Sequence, residues 1–257
     1  MDLSDDAFLG GALHILQPKR SYRAGLDAVL LAAACPARPG TRERVLDAGA
    51  GVGTVGLCVA RRVEDACITL VEIEPELAAL ARQNAERNGL SQRVAIVQAD
   101  VGGGGRPFHA ETGSGGGLVA GAFAHAVANP PYLAAGRGTE PPDRLKAAAH
   151  RMPGDDLDQW VRFLANALGS DGTATMIHRA DALGALLSAF EGRFGAIKVL
   201  PIFPREGTSA SRIIVHGIKG SRAPLQILPG LVLHRDGHEF QPRAEAILRD
   251  GAGLLLS

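Results

Sequence analysis

The chain has no excess of either charge. Among its 257 residues, 27 Lys and Arg are balanced by 27 Asp and Glu. No global basic field announces a nucleic-acid partner, which argues against a strong nonspecific DNA binder and leaves room only for a local basic face. Also missing is any apolar run of membrane-spanning length, and the opening Met1-Asp2-Leu3-Ser4-Asp5-Asp6 is acidic where a secretory signal is basic. Cysteine is scarce. Cys35, Cys58 and Cys67 are odd in number and not closely paired. Cys58 and Cys67 fall in apolar contexts and read as buried thiols of a reducing compartment. The expectation is a cytoplasmic protein without a membrane partner. Hydrophobic residues make up 46% of the chain and the mean hydropathy is near zero, enough for one large domain with a sizeable core. No internal repeat is visible.

What is present is an alternation of strand and helix patterns. Arg44-Val-Leu-Asp-Ala48 reads as a strand running into the glycine-rich segment Asp47-Ala48-Gly49-Ala50-Gly51-Val52-Gly53, followed by helical spacing from Val52 to Arg62. Ile68 to Ile73 is a second strand, and Pro75 suits the first turn of a helix that runs to Arg87 and closes at Asn88-Gly89. Arg93 to Val97 and Ala124 to Ala128 are the third and fourth strands, separated by Gly102 to Gly117, where eight of sixteen residues are glycine. That stretch reads as a surface excursion, because no helix pattern follows it as a phosphate loop requires. A helix from Asp155-Asp156 to Leu168 and a strand from Gly172 to His178 come next. A helix from Ala182 to Phe190 follows, then a final strand pair, Ala196 to Phe203 and Arg212 to Gly217. The fold class is α/β: a mostly parallel, seven-stranded, Rossmann-like sheet with helices on both faces and a C-terminal antiparallel strand pair. The boundaries read as 1–43 for an N-terminal segment, 44–220 for the core and 221–257 for an extension of a single domain.

The chemistry resides at the strand ends. Gly49, Gly51 and Gly53 allow the backbone to approach a ligand, with the N–H groups of the next helix facing it. The spacing Gly49-x-Gly51-x-Gly53 after Asp47 departs from the dinucleotide fingerprint. Glu72 ends the second strand 19 residues beyond Gly53, where a carboxylate can accept both hydroxyls of a ribose; Glu74 is its alternate. Asp100 ends the third strand. Downstream, Asn129-Pro130-Pro131-Tyr132 follows the fourth strand. The Asn129 side-chain oxygen and the Pro130 carbonyl can both accept hydrogen bonds from a planar NH₂ group, localising its lone pair, and Tyr132 can stack on the ring that bears it. As a bare turn signal the tetrapeptide carries little information; after a strand, in a chain with the glycine loop, it is specific. His234 and His238 are separated by Asp236-Gly237, which breaks any helix between them, so no metal is expected. Trp160 falls in a helical pattern with Leu157 and Leu164 and reads as core.

The glycine loop resembles motif I of the class I S-adenosylmethionine-dependent methyltransferases, and Asn129 to Tyr132 resembles the active-site motif of the amino-methyltransferases. In the motif I pattern the aspartate, here Asp47, orients the methionine amine of the cofactor, often through water. The position of Asp100 receives the adenine amine. The opening, Leu9-Gly-Gly-Ala-Leu-His-Ile-Leu-Gln-Pro18 and Tyr22 to Ala32, resembles the bacterial tRNA (adenine-N6)-methyltransferase family that modifies the adenine beside the anticodon of a valine tRNA. There the Gly-x-Asp segment, matched by Gly25 and Asp27, closes over the methionine end of the cofactor. The resemblance continues weakly through Phe203 to Gly207 and Ile218 to Gly220, while the 102–117 insertion departs from it. It implies S-adenosyl-L-methionine as cofactor, an RNA partner with an unstacked target adenine, and N6 methylation. Alternatives are a glutamine-amide or small-molecule methyltransferase and a noncatalytic RNA-binding module. The 46 residues before Asp47 are fewer than the helical domain that the glutamine enzymes usually carry there. A binding module has no chemical need of Asn129. Candidates for RNA contact are Lys19, Arg20, Arg23, Arg205, Arg212, Lys219 and Arg222, each equally readable as ordinary surface charge.

Overall fold

A computed structural model describes residues 2–20, 23–102, 118–131 and 156–256. Tyr132 and most of the glycine-rich insertion lie outside these residues. The chain opens with an antiparallel hairpin, β1 (Leu3–Phe8) and β2 (Leu13–Pro18), followed by helix α1 (Leu26–Ala34). Then come β3 (Arg44–Ala48), α2 (Thr54–Arg62), β4 (Cys67–Glu72), α3 (Pro75–Arg87), β5 (Val94–Gln98) and β6 (Phe123–Ala128). The second half carries α4 (Asp156–Ala167), β7 (Leu168–Arg179), α5 (Leu183–Phe190), β8 (Phe194–Arg205) and β9 (Arg212–Lys219). The short strands β10 (Gln226–Ile227) and β11 (Leu231–His234) and the helix α6 (Pro242–Asp250) end it.

The expected seven strands form the body of the sheet, in the order β8-β9-β7-β6-β3-β4-β5. Strands β3 to β7 run parallel, and β9 turns antiparallel to both β7 and β8. The short β10 and β11, not expected from the sequence, add to the outer side of β8 and bring the sheet to nine strands. Chain order runs outward from β3 through β4 to β5, then restarts at β6 on the other flank of β3. The crevice between the carboxyl ends of β3 and β6 is therefore the topological switch point, the place where open α/β sheets take ligands.

Near-continuous apolar strands are the signature of a sheet covered twice. Val45, Leu46 and Ala48 of β3 are fully buried, as are Leu70 and Val71 of β4. One apolar layer gathers α1, α2, α3 and α6 together with Leu13 and Ile15 of the hairpin; the other is built from α4 and α5. Trp160 is buried in the second layer, as its spacing predicts. Cys35 and Cys58 are buried, and burial pushes their thiols up to about 11 and about 12. Cys67 is exposed, contrary to its reading as a core thiol. It opens β4, whose buried run begins only at Ile68.

Polar groups also cross the sheet. His125 Nδ1 lies 2.8 Å from Thr173 Oγ1, and His216 Nδ1 lies 2.9 Å from Thr175 Oγ1. Burial, with help from Lys198 and His125, depresses His216 from 6.5 to about 4. The neutral ring is the one that folds, so its contribution is intact above pH 6.5. It declines as the pH falls toward 4, where the unfolded chain binds the extra proton. Urea unfolding should therefore show stability falling across pH 6.5 to 4, by up to about 3 kcal/mol from this group, and His216→Gln should flatten that fall. Equal pH slopes in the two proteins would contradict it.

Candidate active site

The strand register brings the predicted residues to one edge. Ala48 pairs with both Val71 of β4 and Ala128 of β6, and Glu72 pairs with Gln98 of β5. The glycine loop, Glu72, Asp100 and Asn129 thus all emerge at the carboxyl ends of adjacent strands. Asn129 is half-buried and Pro130 is buried.

Backbone geometry explains the glycines. Gly49, Gly51 and Gly53 have φ of 65°, 57° and 89°, values that L side chains rarely adopt. A Cβ on Gly49 would meet Trp160 Cη2 at 2.3 Å, so the buried indole of α4 packs directly on the loop. A Cβ on Gly53 would come within 2.9 Å of Leu70. Above Gly51 there is nothing within 4 Å among the described residues, which leaves open space on that side of the turn. The sequence reading missed Gly56, where a Cβ would strike Leu70 Cδ2 at 2.3 Å. It is the glycine that lets α2 lie close on β4, and its spacing after Gly51 and Gly53 was available as a signal.

Two carboxyls support this turn from below. Asp47 is 1% exposed, and its Oδ2 accepts the Gly56 N–H at 2.9 Å. Burial pushes its pKa up to about 7; the Gly56 bond opposes this and the Glu72 charge adds to it. With Asp47 beneath the loop, contact with a ligand amine would pass through an intervening water, as the resemblance implies. Glu72 is 6% exposed. Its Oε2 accepts the Gly51 N–H at 2.7 Å and its Oε1 accepts the Glu74 N–H at 2.9 Å. Burial raises its pKa above the ordinary carboxylate range, the Glu74 charge adds to this, and the backbone donors work against it. Asp100 is exposed, with Oδ1 accepting the Gly102 N–H at 2.8 Å.

These residues fit S-adenosylmethionine. Two buried, mutually repelling carboxyls favour a partner that brings positive charge and hydrogen-bond donors, and the cofactor offers an ammonium, a sulfonium and two ribose hydroxyls. Thr54 Oγ1, at the first position of α2, is buried without a hydrogen-bond partner among the described residues. A bound polar group or water beside the loop would satisfy it.

Further residues hold the site's surroundings; of these, sequence reasoning singled out Asp27 and Arg212 but not Asn84 or the role of Gln17. Asn84 of α3 is fully buried; its Oδ1 accepts the Leu16 N–H at 2.8 Å while its Nδ2 donates to the carbonyls of Leu16 and Val52. One amide thus ties the hairpin to the glycine loop. Gln17 grips Ala24 through both its N–H and its carbonyl, fixing the approach to Gly25. Asp27 accepts a hydrogen bond from Arg212 Nε at 2.9 Å, which joins α1 to the start of β9.

The basic residues do not form one face. Arg23 pairs with Asp6. Arg205 and Arg212 lie at the carboxyl edge with the site, but Lys219 is at the other end of β9, opposite Phe194, with its ammonium on the Leu168 carbonyl. Lys219 is seven residue steps along the strand from Arg212, about 24 Å. Arg222 stays with Lys219, its backbone packed against Gly195 at the start of β8.

The two glycines make separable predictions. Gly49→Ala meets both left-handed strain and the Trp160 ring, so thermal unfolding should show a loss of about 2–4 kcal/mol. Gly51→Ala has room and should cost only about 1–2 kcal/mol, yet its methyl fills the open ligand side, so calorimetry should find S-adenosylhomocysteine binding weakened. Equal stability losses, or unchanged ligand affinity in Gly51→Ala, would refute this geometry.

The chain is similar to several known proteins. Residues 26–141 match the model of the methyltransferase small domain. A tRNA1(Val) (adenine(37)-N6)-methyltransferase of Haemophilus influenzae is 27% identical over 203 residues, covering 79% of this chain and 80% of that protein. One from Shewanella amazonensis is 34% identical over 151 residues, 59% of this chain and 58% of that protein. A crystal structure described as a predicted O-methyltransferase from Agrobacterium tumefaciens has a TM-score of 0.71 at 29% identity, with 89% of this chain and 98% of that one covered. Motif, sheet order and relatives together support an S-adenosylmethionine-dependent methyltransferase fold, with residues 26–141 similar to the methyltransferase small domain.

Proposed function

We propose that the enzyme transfers a methyl group to the exocyclic N6 amine of an adenine in tRNA, presented unstacked. The observation that carries this is Asn129-Pro130 directly after β6, beside the strand that leads into the glycine loop. That is an acceptor pair for a planar amine, at the edge where the cofactor cradle opens. Relatives named for N6 methylation of adenine 37 in a valine tRNA support it.

In this reading Gly49, Gly51 and Gly53 form the floor of the cofactor site. Glu72 takes the ribose hydroxyls, Asp100 the adenine amine, and Asp47 the methionine amine through water. Gly25 and Asp27 close over the methionine end. Bound S-adenosylmethionine supplies an electrophilic methyl group on a sulfonium sulfur. The Asn129 side-chain oxygen and the Pro130 carbonyl accept the two N–H bonds of the amine, drawing its lone pair out of the ring and fixing its direction. Proline in this place offers a carbonyl on a rigid backbone. No base must act first, because the nitrogen sheds its proton readily only after gaining the methyl. Tyr132 stacks on the base. A paired adenine is buried in its stack, so an anticodon-loop base is the accessible form. We also read 1–43, 44–220 and 221–257 as parts of one domain, a view supported by the packing of α6 and the hairpin with α1 in one apolar layer.

Labelled S-adenosylmethionine offered in parallel with total tRNA, double-stranded DNA and a release-factor protein should label the tRNA. Label on protein glutamine and none on tRNA would replace this reading with amide methylation. Asn129→Ala should cut kcat by on the order of 10²–10³ while S-adenosylhomocysteine affinity stays nearly unchanged, since its oxygen addresses the acceptor. Near-normal turnover in that variant would remove Asn129 from the chemistry.

A further inference from the structure

The carboxyl edge of the sheet carries a second feature, on the flank away from the glycine loop. Arg179 ends β7, the strand beside β6 and Asn129. Arg212 begins β9, Arg205 ends β8, and Arg235 directly follows β11. These are four successive neighbours in the sheet, each with an arginine at the same edge. Arg179 and Arg212 are cross-strand partners, and Arg205 faces His234 across the β8–β11 pair. At about 4.8 Å between strands, three steps carry the set about 14 Å outward from β7, and because Ile202 is the partner of Arg212, Arg205 and Arg235 stand about 10 Å or more further along the strand direction.

The row is built into the fold. Arg205 Nη2 donates to the Gly237 carbonyl at 2.9 Å, which fixes it against the turn after β11. The Arg235 N–H donates to the Glu239 carbonyl at 2.9 Å in the same turn. Arg212 is held by Asp27 and sits deeper, while Arg179 pairs with Asp181 on the surface. An exposed pair of that kind is screened by solvent and holds weakly, so an incoming anion can displace Asp181. In a chain of zero formal charge, attraction for a polyanion must be local. Guanidinium forks match phosphate oxygens in pairs.

We propose that Arg179, Arg205 and Arg235, with Arg212 behind them, form a phosphate track for the RNA strand that leads to the target adenine, running from the acceptor site across β7, β9, β8 and β11. It rests on the tRNA reading and assigns the backbone contacts that reading lacks. Lys219 and Arg222, about 24 Å away at the opposite edge, take no part.

The test measures binding of unmodified tRNA between 50 and 200 mM KCl. It compares the wild type, Arg179→Ala/Arg235→Ala, Arg179→Lys/Arg235→Lys and Arg222→Ala, with S-adenosylhomocysteine affinity as the check on folding. The double alanine variant should bind tRNA about tenfold or more weakly, and its log–log salt slope should drop by about 1–2. Its cofactor affinity and its kcat at saturating tRNA should hold. The lysine variant should keep most of the slope, and Arg222→Ala should match the wild type. A wild-type slope in the double alanine variant, with tRNA still methylated, would overturn the track and leave the substrate intact. Loss in Arg222→Ala as large as in the double variant would also overturn it. A wild type that neither binds nor methylates tRNA would overturn the track together with the reading beneath it.

Discussion

The hydrogen bond from the Gly51 N–H to the Glu72 carboxylate is the contact on which the rest of the site depends. It spans from the turn after β3 to the end of β4, so the loop's shape and the position of its main acid are set by one interaction. A carboxylate buried to 6% exposure needs such donors, because desolvation otherwise favours its neutral form. Asp47 repeats the logic one layer deeper, bonding Gly56 where α2 approaches β4 most closely. The two acids repel across the loop, and both are raised toward neutrality. A ligand that carries positive charge and hydroxyl donors relieves that tension, which is why this cradle suits a sulfonium nucleoside.

The glycine turn is then held from three sides by elements far apart in sequence. Trp160 of α4 lies against Gly49, and Leu70 of β4 fills the space below Gly53 and Gly56. Asn84 of α3 fastens the Val52 carbonyl to the hairpin strand β2. The hairpin thereby shares a buried hydrogen-bond network with the cofactor loop. A loop on a scaffold this constrained can present its N–H groups without reorganising on binding, which is what preorganised catalysis requires.

Much of this was legible in the chain because it rests on local rules. The strands β3, β4 and β6 are short apolar runs ending in punctuation, and Pro75 and Asn88-Gly89 bracket α3 by helix-end chemistry alone. Glu72 and Asp100 could be placed near strand ends because acids there are visible in one dimension. The hairpin was not: Leu13, Ile15 and Gln17 face inward, but their partners are on α2 and α3, some 70 residues away for the Asn84 bonds. Likewise α1 is apolar almost all round, so it lacks the amphipathic stripe that betrays a surface helix. Cys67 was misread because the run that makes its surroundings apolar begins one residue later. The basic candidates were scattered in sequence, and only strand register sorted them to opposite edges.

The proposed reaction at this edge is methylation of an exocyclic amine on an unstacked adenine. The most direct test is to methylate tRNA with carbon-13-labelled S-adenosylmethionine, locate the label by mass spectrometry of base-specific ribonuclease fragments, and identify the labelled nucleoside after full digestion. The account predicts label in N6-methyladenosine from a single-stranded position. Label on a ribose oxygen, on a ring nitrogen or in a helical stem would contradict it.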